Sequence, residues 1–109
     1  MEIRRNALIA IVGAGTMGAG IAQVAAAAGH SVVILDTSAD ALARGQETVA
    51  KSLAGAVKRG KIDAAEASAI EARMQWTTDR TAAAPAALVI EAIIERLDAK
   101  VALFRELES

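Results

Sequence analysis

The chain has 109 residues, one histidine, no cysteine and a net charge of −1, and 54% of its residues are hydrophobic. This length suits one domain or a piece of a larger one. The near-neutral charge gives no overall attraction to nucleic acid or to an anionic membrane, and the lack of cysteine excludes disulfides and thiolate metal sites. We expect a cytoplasmic protein with no metal site and no nucleic-acid partner.

The first predicted elements form a strand, helix, strand unit. A buried strand over 7–12 is rich in Ile and Val and ends at a glycine. A helix follows over 16–28, capped by Gly29, and a second buried strand covers 31–35. The uncharged stretch 6–35 also resembles a signal peptide or a membrane span. Its five glycines oppose that alternative, because each disfavours a helix by about 1 kcal/mol, so we expect no membrane association.

A helical hairpin is predicted next. Its first helix begins after Ser38, a good N-cap residue, and runs to about residue 59, where Gly60 ends it. The second helix begins at Asp63, which forms a capping box with Glu66, and ends near residue 73. The side chains expected on the apolar faces are Leu42, Val49, Leu53, Val57, Ile62, Ala69 and Ile70.

The last predicted elements are a weak strand over 74–77, a loop over 79–85, a clearly buried strand over 87–92 and an amphipathic helix over 97–107. Together the elements predict an α/β fold. It is a Rossmann-type doubly wound parallel sheet, with strand order 3-2-1-4 and a helical hairpin inserted after the second strand. Because the chain stops where a further strand is expected, we predict a sheet that is truncated at the C-terminus, with the far edge of its fourth strand unpaired.

The turn after the first strand carries a dinucleotide-binding pattern. Gly13, Gly15 and Gly18 fit G-x-G-x-x-G, between a strand and a helix, with Asp36 at the end of the next strand. Gly13 permits the tight turn, Gly15 lets a diphosphate approach the backbone, and Gly18 lets the helix pack against the strand. Amides at the helix start would bind the diphosphate. The alternative is an ordinary glycine turn of an α/β protein.

Asp36 is the predicted contact for the adenosine ribose, and it favours NAD over NADP. A phosphate on the ribose 2′-oxygen would lie beside this carboxylate. Two unit charges about 4 Å apart repel by roughly 4 kcal/mol at an effective dielectric constant of 20. The residues after Asp36 are Thr37 and Ser38, so no arginine follows it to offset the repulsion.

The first helix of the hairpin and the turn after it carry a basic strip. Arg44, Lys51 and Lys58 are seven residues apart, and Arg59 and Lys61 follow, with Glu47 as the only acid between 44 and 61. Such a strip is most often a solvated helix face, but it could also gather a polyanionic ligand. RNA is a weaker alternative, because no aromatic side chains accompany the charges.

With these elements placed, the chain resembles the N-terminal part of the 3-hydroxyacyl-CoA dehydrogenase family, and its bacterial 3-hydroxybutyryl-CoA and 3-hydroxyadipyl-CoA members in particular. The matching stretches are IVGAGTMGAGIAQVAAAAGHSVVILD, the helical hairpin and LVIEAIIERLDAKVALFREL. The resemblance implies an NAD-binding domain over 1–109, without the C-terminal helical domain through which the family dimerises. The implied activity is NAD-dependent oxidation of (S)-3-hydroxyacyl-CoA to 3-ketoacyl-CoA, and the implied assembly of the intact protein is a homodimer.

The resemblance also assigns residues. Carried over by position, the cofactor contacts are Gly13, Ala14, Gly15, Thr16, Met17, Gly18, Asp36, Glu95 and Lys100. Ser52 and Arg59 align with positions that contact coenzyme A, so the basic strip would face that polyanionic ligand. The family's catalytic residues align beyond Ser109, so no catalytic residue is assigned here and the 109 residues alone are predicted to be inactive. The only histidine, His30, precedes the second strand, far from the strand ends where chemistry occurs.

Two alternatives remain at this point. One is a non-catalytic nucleotide-binding or assembly module that uses the fold without chemistry. The other is an NAD-dependent dehydrogenase of similar N-terminal layout, of the 3-hydroxyisobutyrate or 6-phosphogluconate type. The helical hairpin with its basic face argues against the second alternative.

Overall fold

The computed structural model describes residues 7–92, and it contains four strands, three α-helices and one short 3₁₀ helix in that range. The strands are β1 (Ile9–Val12), β2 (Val32–Leu35), β3 (Met74–Thr77) and β4 (Leu88–Glu91). The helices are α1 (Thr16–Ala27), α2 (Ala39–Lys58), α3 (Ala64–Ala72) and the 3₁₀ helix Arg80–Ala83. The amphipathic helix predicted over 97–107 lies outside the described residues.

All four strands are parallel, in the order β3-β2-β1-β4, which confirms the predicted sheet. In register, Ile9 lies beside Val32 on one side and beside Leu88 on the other. The two central strands are short apolar runs without a charged residue, as expected of strands buried on both faces. Because the strands are parallel, their carboxyl ends meet at one edge, where α/β proteins place their ligands.

The larger core lies between one face of the sheet and the three α-helices. Ile11 and Ile34 point to this face and are fully buried, and burying a side chain of that size stabilises a fold by about 1.5–3 kcal/mol. Alternate residues point to the other face, where a smaller cluster forms around Ala10, Val33 and Leu35 and packs against part of the 3₁₀ helix. Because α1 packs on the face of the sheet that carries Ile11 and Ile34, its contacts there hold the turn between β1 and α1 in place.

The helical hairpin forms as predicted. Ser38 caps α2 by accepting a hydrogen bond from the Ala41 amide at 3.1 Å, and Asp63 caps α3 by accepting one from the Glu66 amide at 2.7 Å. Gly60 follows α2 with a φ of 74°, a conformation that favours glycine. The predicted apolar face of α3 is wrong in one residue, because Ala69 is exposed and Ala67 is buried in its place.

Two predictions near β4 are corrected by the structure. The loop predicted over 79–85 contains the 3₁₀ helix, which Asp79 caps by accepting a hydrogen bond from the Thr81 amide. The predicted burial of β4 is also wrong, since Val89 is 52% exposed. Within 7–92, β4 pairs only with β1, and no α-helix of that range packs on the face that Val89 shares with Ala10.

Candidate functional site

The turn between β1 and α1 depends on two glycines that no other residue can replace without strain. Gly13 has a φ of 109°, and a Cβ atom there would lie 2.7 Å from the carbonyl oxygen of Ala92. A Cβ atom at Gly18 would collide with the carbonyl oxygen of Gly13. The first glycine therefore lets β1 turn next to β4, and the third lets α1 start directly against the turn.

The N-terminus of α1 is open to a ligand. Its N-cap is Gly15, which has no side chain to cap the helix, and the Ala19 amide makes a 2.9 Å hydrogen bond to the Gly15 carbonyl oxygen. The amides of the first turn, at Thr16, Met17 and Gly18, lack acceptors within the helix. Together with the helix dipole they form a site for a negatively charged group. The first turn contains no acidic residue that would compete for it.

Asp36 at the end of β2 is tied to this turn. Its Oδ2 accepts a hydrogen bond from the amide of Ala14 at 2.9 Å, and its Oδ1 accepts one from the amide of Ser38 at 2.9 Å. One carboxylate thus joins the glycine turn, the end of β2 and the start of α2. Each oxygen keeps a second lone pair, so a ribose hydroxyl can still donate to it. Because the Ala14 amide donates to Asp36, it orders the turn in this structure, and the amides at the start of α1 are the ones left for a ligand.

A cavity of about 380 Å³ opens beside Asp36 at the carboxyl edge of the sheet, a size typical of small-molecule sites. Its walls are Val12, Leu35, Asp36, Thr37, Thr78, Arg80, Ala83 and Glu91. Only Asp36 among these residues is predicted from the sequence as a site residue. Thr78 and Arg80 follow β3, and the pairing of β3 with β2 brings them to the cavity.

A further glycine contributes to the site and was missed by the sequence analysis. A Cβ atom at Gly45 in α2 would lie 2.7 Å from the carbonyl oxygen of Ala14 and 2.9 Å from Cζ3 of Trp76. Gly45 therefore lets α2 and the indole ring approach the glycine turn closely. A signal was present, since this glycine interrupts a helix on the same face as Leu42 and Val49.

Ser52 and Arg59, which the resemblance assigns to coenzyme A, lie on α2 away from the cavity. Ser52 is about 10 Å along the helix axis from Gly45, and Arg59 about 10 Å further. The Ser52 hydroxyl accepts a hydrogen bond from Gln23 Nε2 of α1 at 3.0 Å. Arg59 is the C-cap of α2, and its Nη1 lies 3.1 Å from where a Cβ atom of Gly55 would be. Both side chains are exposed, so an external ligand can reach them.

The remaining predicted residues are elsewhere. Glu95 and Lys100 lie outside the described residues, so their assignment to the cofactor stays a prediction. The Nδ1–H of His30 donates to the Ala7 carbonyl oxygen at 3.0 Å, at the amino end of β2. It is thus on the opposite edge of the sheet from Asp36, as expected, and its hydrogen bond ties the chain before β1 to the turn before β2.

The described part of the chain contains neither a helix suited to span a membrane nor a cluster of metal ligands. None of its helices is both long and apolar enough to cross a bilayer. No three His, Asp or Glu side chains between residues 7 and 92 come close enough together to hold a metal ion. The site in the described residues is therefore the glycine turn, Asp36 and the adjoining cavity.

Comparison with known proteins gives consistent matches along almost the whole chain. Residues 8–109 match the family model described as 3-hydroxyacyl-CoA dehydrogenase, NAD binding domain. The 3-hydroxyadipyl-CoA dehydrogenase of Escherichia coli K12 is 48% identical over 99 residues, which are 91% of this chain and 21% of that protein. A probable 3-hydroxybutyryl-CoA dehydrogenase of Deinococcus radiodurans is 41% identical over 97 residues, or 89% of this chain and 34% of that protein.

Solved structures match to a similar extent. The 3-hydroxybutyryl-CoA dehydrogenase of E. coli K12 superposes with a TM-score of 0.79 at 45% identity, covering 96% of this chain and 22% of that one. The (S)-3-hydroxybutyryl-CoA dehydrogenase of Ralstonia eutropha gives a TM-score of 0.80 at 39% identity, covering 93% of this chain and 36% of that one. The chain thus spans about a fifth to a third of the length of its relatives.

Proposed function

The chain belongs to the family of 3-hydroxyacyl-CoA dehydrogenase NAD-binding domains, and from this we propose that it forms the NAD-holding part of an enzyme that oxidises (S)-3-hydroxyacyl-CoA to 3-ketoacyl-CoA. The relatives carry names of the same kind, for 3-hydroxyadipyl-CoA and 3-hydroxybutyryl-CoA. We propose that this activity takes part in the degradation of fatty acids or aromatic acids. The protein is proposed to work in the cytoplasm, as a homodimer in its intact form.

One observation carries the proposal, namely that the glycine turn and Asp36 form a single hydrogen-bonded unit. The turn is shaped for close approach of a ligand, since Gly13 and Gly18 leave no room for a side chain. The amides at the start of α1 bind the diphosphate, and Asp36, held by the Ala14 amide at 2.9 Å, accepts from the adenosine ribose. This arrangement fits a dinucleotide better than a simple phosphate, because it offers a diphosphate site and a sugar site side by side.

When bound, NAD would supply the chemistry, as the acceptor of a hydride from the substrate carbon that bears the hydroxyl group. The task of the described residues is to hold the cofactor, with the charge of Asp36 selecting against a 2′-phosphate. Glu95 and Lys100 are proposed as further contacts to NAD on the strength of the family resemblance. None of the 109 residues is proposed to transfer the substrate proton, so these residues alone should turn over no substrate. We also expect them to bind NAD weakly on their own.

The outer face of α2 is the proposed contact for the coenzyme A part of the substrate. The Ser52 hydroxyl is held by Gln23 and remains exposed, and Arg59 presents a guanidinium at the end of the same helix. Around them lie further basic side chains of the strip, of which Lys51 is paired with Glu47 at 3.1 Å. A guanidinium and a hydroxyl are suitable donors for phosphate oxygens, which coenzyme A provides at its ADP end.

Calorimetric titration with NAD and NADP tests the cofactor assignment. We expect NAD to bind and NADP to bind at least tenfold more weakly, because even a third of the 4 kcal/mol repulsion estimated for two charges about 4 Å apart corresponds to that ratio. Gly18→Ala should abolish binding, whereas Gly20→Ala serves as the matched control, since a Cβ atom at Gly20 has nothing within 4 Å. No heat with NAD, or tighter binding of NADP, would refute the proposal.

Turnover is tested by following NADH absorbance with NAD and 3-hydroxybutyryl-CoA. The intact protein is expected to be active, and the 109 residues alone are not. If the intact protein binds NAD but oxidises no 3-hydroxyacyl-CoA, the non-catalytic nucleotide-binding module becomes the better description. Loss of activity in Ser52→Ala through a raised KM for the acyl-CoA, with the NAD affinity unchanged, would support the coenzyme A surface on α2.

A further inference from the structure

The cavity beside Asp36 is lined by Arg80, a residue to which the family resemblance assigns no role. We propose that Arg80 stacks its guanidinium on the adenine ring of the bound dinucleotide and thereby sets much of the affinity for the adenosine half. This inference rests on the proposed function, since it concerns the same ligand. It adds a residue to the site that lies 44 positions after Asp36 in the sequence.

Among the residues that line the cavity, Arg80 is the one suited to stack on the adenine ring. Its apolar surface comes from Val12, Leu35 and Ala83, which offer the flat base a dry contact but no specific attraction. None of the eight lining residues is aromatic, so the base finds no ring to stack on. Arg80 is the only lining residue with a cationic side chain, and a planar guanidinium packs favourably on the electron-rich face of an aromatic ring.

The backbone at Arg80 is held in place by the 3₁₀ helix, and its side chain is exposed. It is the first residue of the 3₁₀ helix, which packs against the sheet through Ala82 and Ala83. The preceding carboxylate turns away from it, because Asp79 Oδ1 accepts hydrogen bonds from the amide and hydroxyl of Thr81, at 2.9 and 2.7 Å. The Lys51–Glu47 ion pair lies on α2, away from the cavity, and Glu91, which lines the cavity with Arg80, has an interaction of its own. The guanidinium is therefore exposed at the cavity wall, on a backbone fixed by the cap.

A phosphate on the ribose 2′-oxygen is the competing partner for Arg80. The geometry favours the base, because the carboxylate that meets the ribose belongs to Asp36, and any group attached to that sugar's 2′-oxygen would first face a negative charge. With the ribose at Asp36, as proposed, the base attached to it would be received by the remaining cavity wall, which includes Ala83 and Arg80. The two alternatives predict different effects of losing Arg80 on NAD and on NADP.

The experiment is a calorimetric comparison of Arg80→Leu and Arg80→Lys with the unsubstituted protein, using NAD, NADP, ADP-ribose and nicotinamide mononucleotide. For Arg80→Leu we expect about a three- to tenfold loss in affinity for NAD and for ADP-ribose, within the range of cation–π contacts at partly exposed sites. Arg80→Lys should lose part of that affinity, because it keeps the charge but not the plane. The affinity for nicotinamide mononucleotide, which has no adenine, should not change.

Arg44→Leu is the matched control, since it removes an exposed arginine of α2 that does not line the cavity. Circular dichroism and thermal unfolding establish that each variant keeps the fold. Unchanged ADP-ribose affinity in Arg80→Leu overturns the inference and leaves the proposed function standing. A loss confined to NADP overturns it in favour of a phosphate contact. If the unsubstituted protein binds neither NAD nor ADP-ribose, the proposed function fails and the role of Arg80 fails with it.

Discussion

Replacing Asp36 by asparagine is expected to weaken the fold and the cofactor selectivity together. In the structure the two carboxylate oxygens each accept a backbone hydrogen bond at 2.9 Å, from Ala14 and from Ser38. An asparagine keeps one acceptor oxygen, so its NH₂ group must face one of these two amide donors. A hydrogen bond to a charged group contributes about 1.5–3 kcal/mol, and one such bond is lost at a half-buried position.

Because the position is half-buried, the lower part of this range applies, and the expected cost is about 1.5–2 kcal/mol of unfolding free energy. For a domain of this size that amounts to a fall in Tm of roughly 5–15 °C, taking about 4–8 °C per kcal/mol. The same substitution removes the negative charge that repels a 2′-phosphate, so NADP should gain on NAD by about tenfold or more. Differential scanning calorimetry measures the first effect, and titration with the two dinucleotides measures the second.

Asp40→Asn is the control for Asp36→Asn, because Asp40 is an exposed carboxylate in the first turn of α2. It should change Tm by little, since only its interaction with the helix dipole is lost, and it should leave the ratio of the two affinities unaltered. An Asp36→Asn variant that unfolds at the temperature of the unsubstituted protein would show that the two backbone hydrogen bonds do not stabilise the turn. An unaltered preference for NAD would show that Asp36 does not face the ribose.

Two further predictions follow from the same region. Gly45→Ala places a methyl group 2.7 Å from the Ala14 carbonyl oxygen, so we expect a loss of about 1–3 kcal/mol in stability and weaker NAD binding. Gly20→Ala, with nothing within 4 Å of the added methyl group, should instead stabilise α1 by about 0.4–1 kcal/mol. Thermal unfolding measures both effects, and a Gly45→Ala protein as stable as the unsubstituted one would contradict the close packing. The Thr81 side chain, and then its amide, hold the pKa of Asp79 below its ordinary value of 3.8. The stabilisation from the ionised Asp79 cap should therefore be constant above pH 3.8 and lost as the pH falls through the lowered pKa. The curves of Tm against pH for Asp79→Asn and the unsubstituted protein should then converge only in acid. A difference in Tm that vanishes near neutral pH would exclude a contribution from the ionised cap.

The strands and the hairpin were predictable because their signals are local. The strand β3 was predicted over the same four residues that the structure shows, and the caps at Ser38 and Asp63 were recognised from residue type alone. Each of these features depends on neighbours within a few positions of the chain. The glycine pattern with Asp36 was predictable for a different reason, since its spacing is fixed by the length of one helix and one strand.

The features that sequence analysis missed depend on contacts between distant elements. The close approach of Gly45 to Ala14 and Trp76 joins three separate elements, and a glycine within a helical pattern does not indicate which distant residues it contacts. Arg80 was assigned to a loop, because only the pairing of β3 with β2 brings that segment to the cavity. The exposure of Val89 was missed since an unbroken apolar run predicts burial on both faces, whatever covers them.

The position of Trp76 has a practical consequence. The chain has one tryptophan and no tyrosine, so its near-ultraviolet fluorescence comes from a single indole. That indole packs against α2 at Gly45, and Gly45 also lies next to the Ala14 carbonyl oxygen. Emission from Trp76 is thus a built-in optical probe of the junction between α2 and the glycine turn. Stopped-flow recording of this signal would follow dinucleotide association in real time, without a label and without any turnover.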